Sequence, residues 1–190
     1  MRYWIILFFI AFQFQLFGQD YFMADSVPVN DGKVEFNVKI KTDLDKTEIR
    51  SRVIKYLNEG LSPYSGVFSL DSTDLTVCQI TDYVKIMSNV VNVFAMYMTY
   101  SLSFEYQDNE CNVKFSNIAF MEKEDFEYKA ISEMSGEKRT KIPAFSAEEI
   151  MIEKNYKLLF YKKASERVTK STVERINKII NELEILLYRK

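Results

Sequence analysis

The chain contains no histidine among its 190 residues. Histidine is the commonest general base near neutral pH, the usual partner of a serine or cysteine nucleophile, and a frequent zinc ligand. Its absence therefore excludes histidine-dependent hydrolases and metal sites of the HExxH type.

Glycine and cysteine are also scarce, with five and two residues respectively. The glycines form neither GxGxxG nor GxxxxGK[ST], so phosphate-binding loops of these two types are excluded. Two isolated cysteines cannot make a four-thiolate zinc site. The formal net charge is only −2, so the chain lacks the basic surface that nucleic-acid binding requires. We therefore expect no cofactor, no metal and no nucleic-acid partner.

The first 18 residues have the order of a secretory signal peptide. Arg2 is followed by an apolar run from Trp4 to Phe12, and the small residue Gly18 precedes the first acid, Asp20. The run is shorter than the roughly 20 residues of a membrane-spanning helix. We predict cleavage after Gly18, export to the periplasm or the exterior, and no membrane span in the mature chain. An uncleaved amino-terminal anchor is the alternative.

Strand and helix patterns divide the chain into five segments. With 47% hydrophobic residues, the chain can form one ordinary core. A strand, a helix and then antiparallel strands indicate an α+β fold with one helix packed on the sheet, followed by a helical hairpin. The predicted segments are a signal peptide at 1–18, a linker at 19–32, an α+β domain at 33–121, a charged connection at 122–145 and a helical hairpin at 146–190.

Local patterns set these elements. The segment KVEFNVKIK (33–41) alternates between apolar and polar residues, which predicts a half-buried strand. Asp45 and Glu48 then have the spacing of a helix capping box, and Gly60 is a natural stop. Four further strands are predicted at SGVFSL, DLTVCQITDYVKI, NVFAMYMTYSLSFEYQ and CNVKFSNIAF, with a possible short strand at FEYKAI (126–131).

Two more capping boxes predict the carboxyl-terminal hairpin. Ser146 with Glu149 opens its first helix, and Ser171 with Glu174 opens its second. An apolar seam follows at steps of three and four residues, formed by Val173, Ile176, Ile180, Leu183 and Leu187. This seam either packs within the chain or provides a surface for self-association.

The strand around residues 94–107 has two contrasting sides. Large side chains on one side predict a core-facing surface; they are Phe94, Met96, Met98, Tyr100, Leu102, Phe104 and Tyr106. Enclosing a cavity on that side would instead make the protein a carrier of an apolar ligand. The other side is small and polar, and Tyr97, Thr99, Ser101 and Glu105 form the predicted binding surface for a polar protein or a glycan. After Asn117 the alternation shifts, which indicates a bulge or burial of both faces.

Carboxylates are the remaining candidates for catalysis. Asp71 and Asp74, or Asp82, could serve in glycoside hydrolysis, which needs two carboxyl groups across a sugar. The sequence DSTD is more typical of a turn whose side chains cap the backbone. Cys78 and Cys111 could form one disulfide in an oxidising compartment, or could be two small core residues.

Three segments resemble a known family: VEFNVKIKT, the helix DKTEIRSRVIKYLNE with its late aromatic residue Tyr56, and the hairpin YSLSFEYQDNECNVKFSNIAF. Residues from about Val34 to Met121 are similar to domain of unknown function 4468, a family of exported bacterial proteins assigned a fold like that of the TATA-binding protein. The family hairpin usually turns through a glycine, whereas DNE has none. The resemblance implies export and this fold, and supplies no catalytic residue. We therefore expect an exported, non-catalytic binding or assembly module of the bacterial cell envelope; the alternatives are the apolar-ligand carrier and a carboxylate-dependent hydrolase.

Overall fold

The computed structural model describes residues 20–61, 66–88, 93–127, 144–152 and 162–188. The strands are β1 (Val29–Asn30), β2 (Lys33–Val34), β3 (Phe36–Lys41), β4 (Gly66–Asp71), β5 (Leu75–Ser88), β6 (Val93–Gln107), β7 (Glu110–Glu122) and β8 (Phe145–Ser146). The helices are α1 (Lys46–Lys55, continued by a π-helical turn at Tyr56–Gly60), α2 (123–127), α3 (Ala147–Met151) and α4 (Lys162–Tyr188). The predicted signal segment lies outside these residues. So does most of the predicted strand at 126–131, whose first two residues are helical and belong to α2.

The main sheet is antiparallel, with the strand order β3-β7-β6-β5-β4, and β8 pairs with the far end of β7. Four of the strands predicted from alternation are present, and the fifth, predicted at 33–41, is divided at Glu35 into β2, which pairs with β1, and β3 of the main sheet. The hairpin from β6 to β7 turns at Asp108 and Asn109, and Asn109 has φ +64°. Asparagine tolerates this left-handed conformation better than most residues, so the turn forms without a glycine.

The first helix begins and ends where predicted, and the Asp45 half of its predicted capping box is formed. The Asp45 side chain accepts a hydrogen bond from the backbone N–H of Glu48 at 2.9 Å. Ile49 and Val53 on its apolar stripe are fully buried. The helical turn ends at Gly60, where a Cβ atom would lie 2.7 Å from a ring carbon of Tyr56. Any larger residue there would displace the tyrosine ring.

The core lies on one face of the sheet, under α1 and α4. Every described residue of the large-side-chain face of β6 is buried there, and Met96, Met98, Leu102 and Phe104 are 0% exposed. A side chain without accessible surface borders no cavity that a water molecule could enter. The described side chains of this face are therefore packed beneath the helices, which counts against the carrier alternative.

A bulge in β7 explains the shift in alternation. Thr99 pairs with Ala119 and Ser101 pairs with Ser116, so β7 holds one extra residue at this point. Asn117 takes up the extra length with φ +53°. Beyond it Ile118 again points into the core, at 4% exposed. Of the two predicted outcomes, the structure has the bulge.

The carboxyl-terminal prediction is correct for the first cap and wrong for the second. Ser146 and Glu149 form a complete capping box on α3. Ser171 and Glu174 do not start a helix, because α4 runs without a break from Lys162 to Tyr188. The predicted two-helix hairpin is thus a one-turn helix and one long helix, with residues 153–161 outside the described part of the chain.

The apolar seam of α4 packs within the chain. All five of its residues are buried, at 3% exposed or less, in the same cluster as the sheet and α1. Of the two predicted roles of the seam, the single chain shows packing within the chain. Small polar residues extend it toward the start of the helix: Ser165, Thr169 and Thr172 are also buried.

Candidate binding face of the sheet

The sheet has an outer face, opposite α1 and α4, that collects most of its polar side chains. Cross-strand pairing aligns Asn37 with Lys114 and Ser103, and Lys39 with Asn112 and Glu105. The next rows add Ser116, Ser101 and Gln79, and then Ala119, Thr99 and Thr81. We call these residues, together with Glu35, Glu110, Tyr83, Tyr97 and Asn117, the outer face.

All four predicted binding residues lie on the outer face of β6, but they are not equally accessible. Ser101 is only 5% exposed. Its hydroxyl accepts hydrogen bonds from Gln79 Nε2 at 2.8 Å and from Asn117 Nδ2 at 3.1 Å. Tyr97 and Thr99 are half-buried, and Glu105 alone is exposed. The structure therefore brings the four together on one strand and leaves Glu105 as the one most open to a partner.

An aromatic cluster closes one end of the outer face. The ring of Phe126, from α2, stacks on Tyr97 with 4.0 Å between centroids and 22° between planes. Tyr83 meets Tyr97 edge to face at 5.4 Å. Sequence reasoning missed both partners. Tyr83 could have been placed on this face, because it precedes Val84, whose apolar side chain belongs to the core side of the same strand. Phe126 could not, because it lies in a charged segment that shows no helical or strand periodicity.

The charges of the outer face neutralise one another. Lys39 pairs with Glu110 at 3.0 Å, and Lys114 pairs with Glu35 at 2.8 Å. The hydrogen bond from Lys114 lowers the pKa of Glu35. The remaining carboxylate, Glu105, accepts from Asn112 Nδ2 at 3.2 Å. The face thus offers hydrogen-bonding groups with little net charge.

The three candidate catalytic acids do not share a site. Asp71 and Asp74 lie at the turn between β4 and β5, where each is held by a cation of α1: Arg50 at 2.6 Å from Asp71, and Lys46 beside Asp74. These hydrogen bonds lower the pKa of both carboxyls. A general acid needs the opposite shift. In the described part of the chain, no group of three or more acids or cysteines is arranged to hold a metal ion.

The third acid, Asp82, is buried on the core side of β5 at 3% exposed. Arg175 of α4 donates to its Oδ2 from Nε at 2.5 Å, and the backbone N–H of Tyr83 donates to Oδ1 at 2.8 Å. Burial, together with the Asp82 carboxylate, raises the pKa of the neighbouring Tyr100 hydroxyl. This ion pair joins α4 to the sheet, so Asp82 makes a structural contact and does not join Asp71 and Asp74, which counts against the hydrolase alternative built on these three acids.

The two cysteines are free and buried, at 1% exposed for Cys78 and 0% for Cys111. Cys78 lies on β5 and Cys111 on β7, with β6 between them. Two strand spacings separate them by about 10 Å at least, beyond the limit of about 7 Å for a disulfide. The possible bridge is therefore corrected to two core thiols. Burial raises the pKa of Cys111 to about 12.

Two solved structures are similar to this chain in fold. One is a DUF4468 family protein from Bacteroides ovatus, which is 17% identical, with a TM-score of 0.65 over 86% of this chain and 91% of that one. The fold is TATA-binding-protein-like. The second neighbour, a TBP-like protein from Parabacteroides distasonis, is 10% identical, with a TM-score of 0.62 over 85% and 96% of the two chains. These likenesses confirm the α+β fold class and the resemblance at the level of fold.

Neither a protein-family model nor a curated protein matches the sequence. Across the described ranges, no helix combines the length and the apolar character needed to cross a membrane.

Proposed function

We propose that the chain is an exported, non-catalytic binding or assembly module of the bacterial cell envelope, and that its outer face binds a polar protein or a glycan. The observation that carries the proposal is the contrast between the two faces of one sheet. The core face is sealed by α1 and α4, whereas α2 is the one described helix on the outer face and covers only its aromatic end.

The chemistry of the outer face favours a polar partner. Its exposed groups are amides and neutralised ion pairs, represented by Gln79, Asn37 and the Lys39–Glu110 pair. Such groups match partners that offer both hydrogen-bond donors and acceptors, as the polar rim of a protein interface or a glycan does. The outer face would attract a charged polymer only weakly, because its lysines are already paired with carboxylates.

Export rests on the order of residues in the first 18 positions, and the non-catalytic assignment rests on the separation of the acids. Asp82 is committed to Arg175 on the core side, and Asp71 and Asp74 are held at a surface turn by cations. The cell envelope follows from export in a bacterial protein, which the resemblance implies.

Capture from cell-envelope extracts tests the proposal. The full chain is compared with Glu105→Arg, which reverses the charge of the one exposed residue among the four predicted binding residues. Lys170→Glu on α4 is the matched control, because Lys170 is also exposed but lies on the helix that covers the opposite face. Protein and polysaccharide fractions are assayed separately.

The expected result is one component that the parent chain and Lys170→Glu retain and that Glu105→Arg loses by roughly tenfold or more. Equal capture by all three chains would show that the outer face is not the binding surface. Glu105→Arg is first checked by circular dichroism, so that loss of binding is not confused with loss of fold.

A further inference from the structure

A position for a flat ring lies at the aromatic end of the outer face, between the sheet and α2. The rings of Tyr97 and Phe126 are stacked there with 4.0 Å between centroids and 22° between planes. Tyr83 borders Tyr97 edge to face. The stack shows that Tyr97 accepts a flat group of ring size against its face. We call this position, bordered by Tyr83 and Tyr97 and filled by Phe126, the ring slot.

The helix that fills the ring slot has few attachments to the sheet. The structure describes α2 over residues 123–127. Its ion pair between Lys123 and Glu127, at 3.7 Å, lies within the helix. Among the described residues, none of 123–127 makes a hydrogen bond or an ion pair with another element, and the Phe126 stack is the main attachment of α2 to the sheet. Few contacts therefore have to be broken for the ring of a ligand to replace Phe126.

A pair of amides lies further along the outer face. Gln79 Nε2 and Asn117 Nδ2 both donate to the Ser101 hydroxyl, at 2.8 Å and 3.1 Å. Both amide residues are exposed, and within the described ranges neither side chain makes another hydrogen bond. Ser101 thus fixes the two amides side by side. Each amide keeps a carbonyl oxygen and a second N–H for a ligand.

A row of hydroxyl groups connects the ring slot to the amides. Three cross-strand pairs of β5 and β6 follow one another on the outer face: Tyr83 with Tyr97, Thr81 with Thr99, and Gln79 with Ser101. The four steps along β6 from the first pair to the third span about 14 Å. These side chains form a strip longer than a single sugar ring, with aromatic rings at one end, hydroxyl groups in the middle and amides at the other end.

This strip fits a glycan better than a protein. One side of a pyranose ring carries mainly C–H groups, which the negative face of an aromatic ring attracts, and its rim carries hydroxyls, which pair with amides. A protein interface is built around apolar anchors. Of the five large apolar side chains that are exposed in the described ranges, only Leu70 is on the main sheet, at its edge strand β4. The paired charges of the outer face further favour a neutral glycan.

We propose that the outer face binds a neutral oligosaccharide along β5 and β6. One sugar ring takes the place of Phe126 in the ring slot, and sugar hydroxyls form hydrogen bonds with Gln79 and Asn117. Phe126 therefore competes with the ligand for the face of Tyr97. This inference rests on the proposed function and selects the glycan from its two classes of partner.

Binding of the full chain to an array of neutral and acidic oligosaccharides, followed by calorimetry with the neutral oligosaccharide that binds best, tests the inference. Phe126→Ala empties the ring slot and should raise the affinity by up to about tenfold, because the ligand no longer has to break an aromatic stack. Gln79→Ala and Asn117→Gly each remove one amide and should each lower the affinity about threefold to tenfold. Glycine is used at position 117 because the backbone φ of Asn117 is +53°.

The matched control is Asn37→Ala, because Asn37 is an exposed amide of the outer face on β3, outside the strip. It should bind like the parent chain, and a loss equal to that of the amide variants would contradict the strip. Circular dichroism first confirms that each variant is folded. A parent chain that retains no neutral oligosaccharide overturns the inference. Unchanged or weaker binding by Phe126→Ala, or full binding by both amide variants, also overturns it.

The capture experiment with Glu105→Arg separates the two possible failures. An envelope protein that the parent chain retains and Glu105→Arg loses, without any binding of oligosaccharides, would overturn the glycan and leave the proposed function standing. Absence of both kinds of binding would overturn both.

Discussion

Replacing Arg175 by methionine should destabilise the protein strongly, because it leaves the buried Asp82 carboxylate without its cation. The side chains of Asp82 and Arg175 are 4% and 18% exposed. After the substitution, the carboxylate keeps the backbone N–H of Tyr83 as its hydrogen-bond donor at 2.8 Å. Removing one partner of a buried pair costs about 3–5 kcal/mol. We expect a loss in that range, a large part of the 5–15 kcal/mol typical of a whole domain.

Two further variants test whether the loss of stability comes from leaving a buried charge without its partner. One removes both charges of the buried pair, and the other breaks an exposed pair. Asp82→Leu combined with Arg175→Met removes both charges, and an apolar replacement of a buried pair is often near neutral. The double variant should therefore be more stable than Arg175→Met alone. Arg50→Met breaks the pair with Asp71, whose side chains are 35% and 37% exposed. Solvent screening limits that loss to about 1 kcal/mol or less.

The assay is urea-induced unfolding, monitored by far-ultraviolet circular dichroism. The free energies of unfolding of the variants are compared with the same dependence on urea concentration (m-value) for each. The reasoning is refuted if Arg175→Met costs no more than Arg50→Met, or if the double variant is as unstable as the single one. The first outcome would mean that water reaches Asp82. The second would mean that packing, rather than charge, holds α4 on the sheet.

Two other predictions concern the buried cysteines of the sheet and the carboxylate of Glu148 on α3. Because Cys78 and Cys111 are buried and burial raises the pKa of both thiols, a thiol-specific reagent near pH 8 should label neither until urea unfolds the chain; rapid labelling of the native protein would contradict this. Glu148 accepts from the backbone N–H of Val34 at 2.8 Å, and although burial raises the pKa of its carboxyl, this bond and others lower it overall. The Glu148 carboxylate therefore stabilises the folded chain at pH values above its pKa in the unfolded chain, about 4.3. This stabilisation is lost as the pH falls through the lower pKa that Glu148 has in the folded chain. Glu148→Gln should reduce the acid-induced loss of unfolding free energy, and an unchanged pH profile would count against the bond.

The sheet could be predicted from the sequence because its two faces meet different surroundings. Met96, Met98 and Leu102 must be buried, and the residues between them need not be, so a period of two is visible along the whole strand. The cap at Asp45 was equally readable, because a capping box and the helix it opens are neighbours in sequence.

The second carboxyl-terminal cap failed because a local signal was overridden by packing. Ser171 and Glu174 have the right spacing, but α4 gains more by continuing across the sheet than by stopping. Thr169 shows how the helix tolerates polar residues there: its buried hydroxyl donates to the Ser165 carbonyl at 2.9 Å. Caps are short-range, whereas the surface that α4 covers is assembled from distant strands.

The candidate site was predictable as a face and not as a set of contacts. Alternation placed Ser101 on the polar side, yet its burial depends on Gln79 and Asn117, which are 22 and 16 positions away. The pairing of Asp82 with Arg175 spans 93 positions. No pattern in a single sequence reports contacts at such separations, because strand register and helix docking create them.

The bulge at Asn117 affects how relatives of this chain can be compared. Ahead of it the core positions of β7 are the odd-numbered ones, Cys111 and Val113 among them, and beyond it they are even-numbered, starting with Ile118. A relative that lacks the extra residue would keep the same core only if one position were skipped in the alignment. Aligned without that gap, half of the strand would match inward residues to outward ones, and two equivalent strands would look unrelated. At identities of 10–17%, one misplaced residue in a strand of this length is enough to hide a shared fold from sequence comparison.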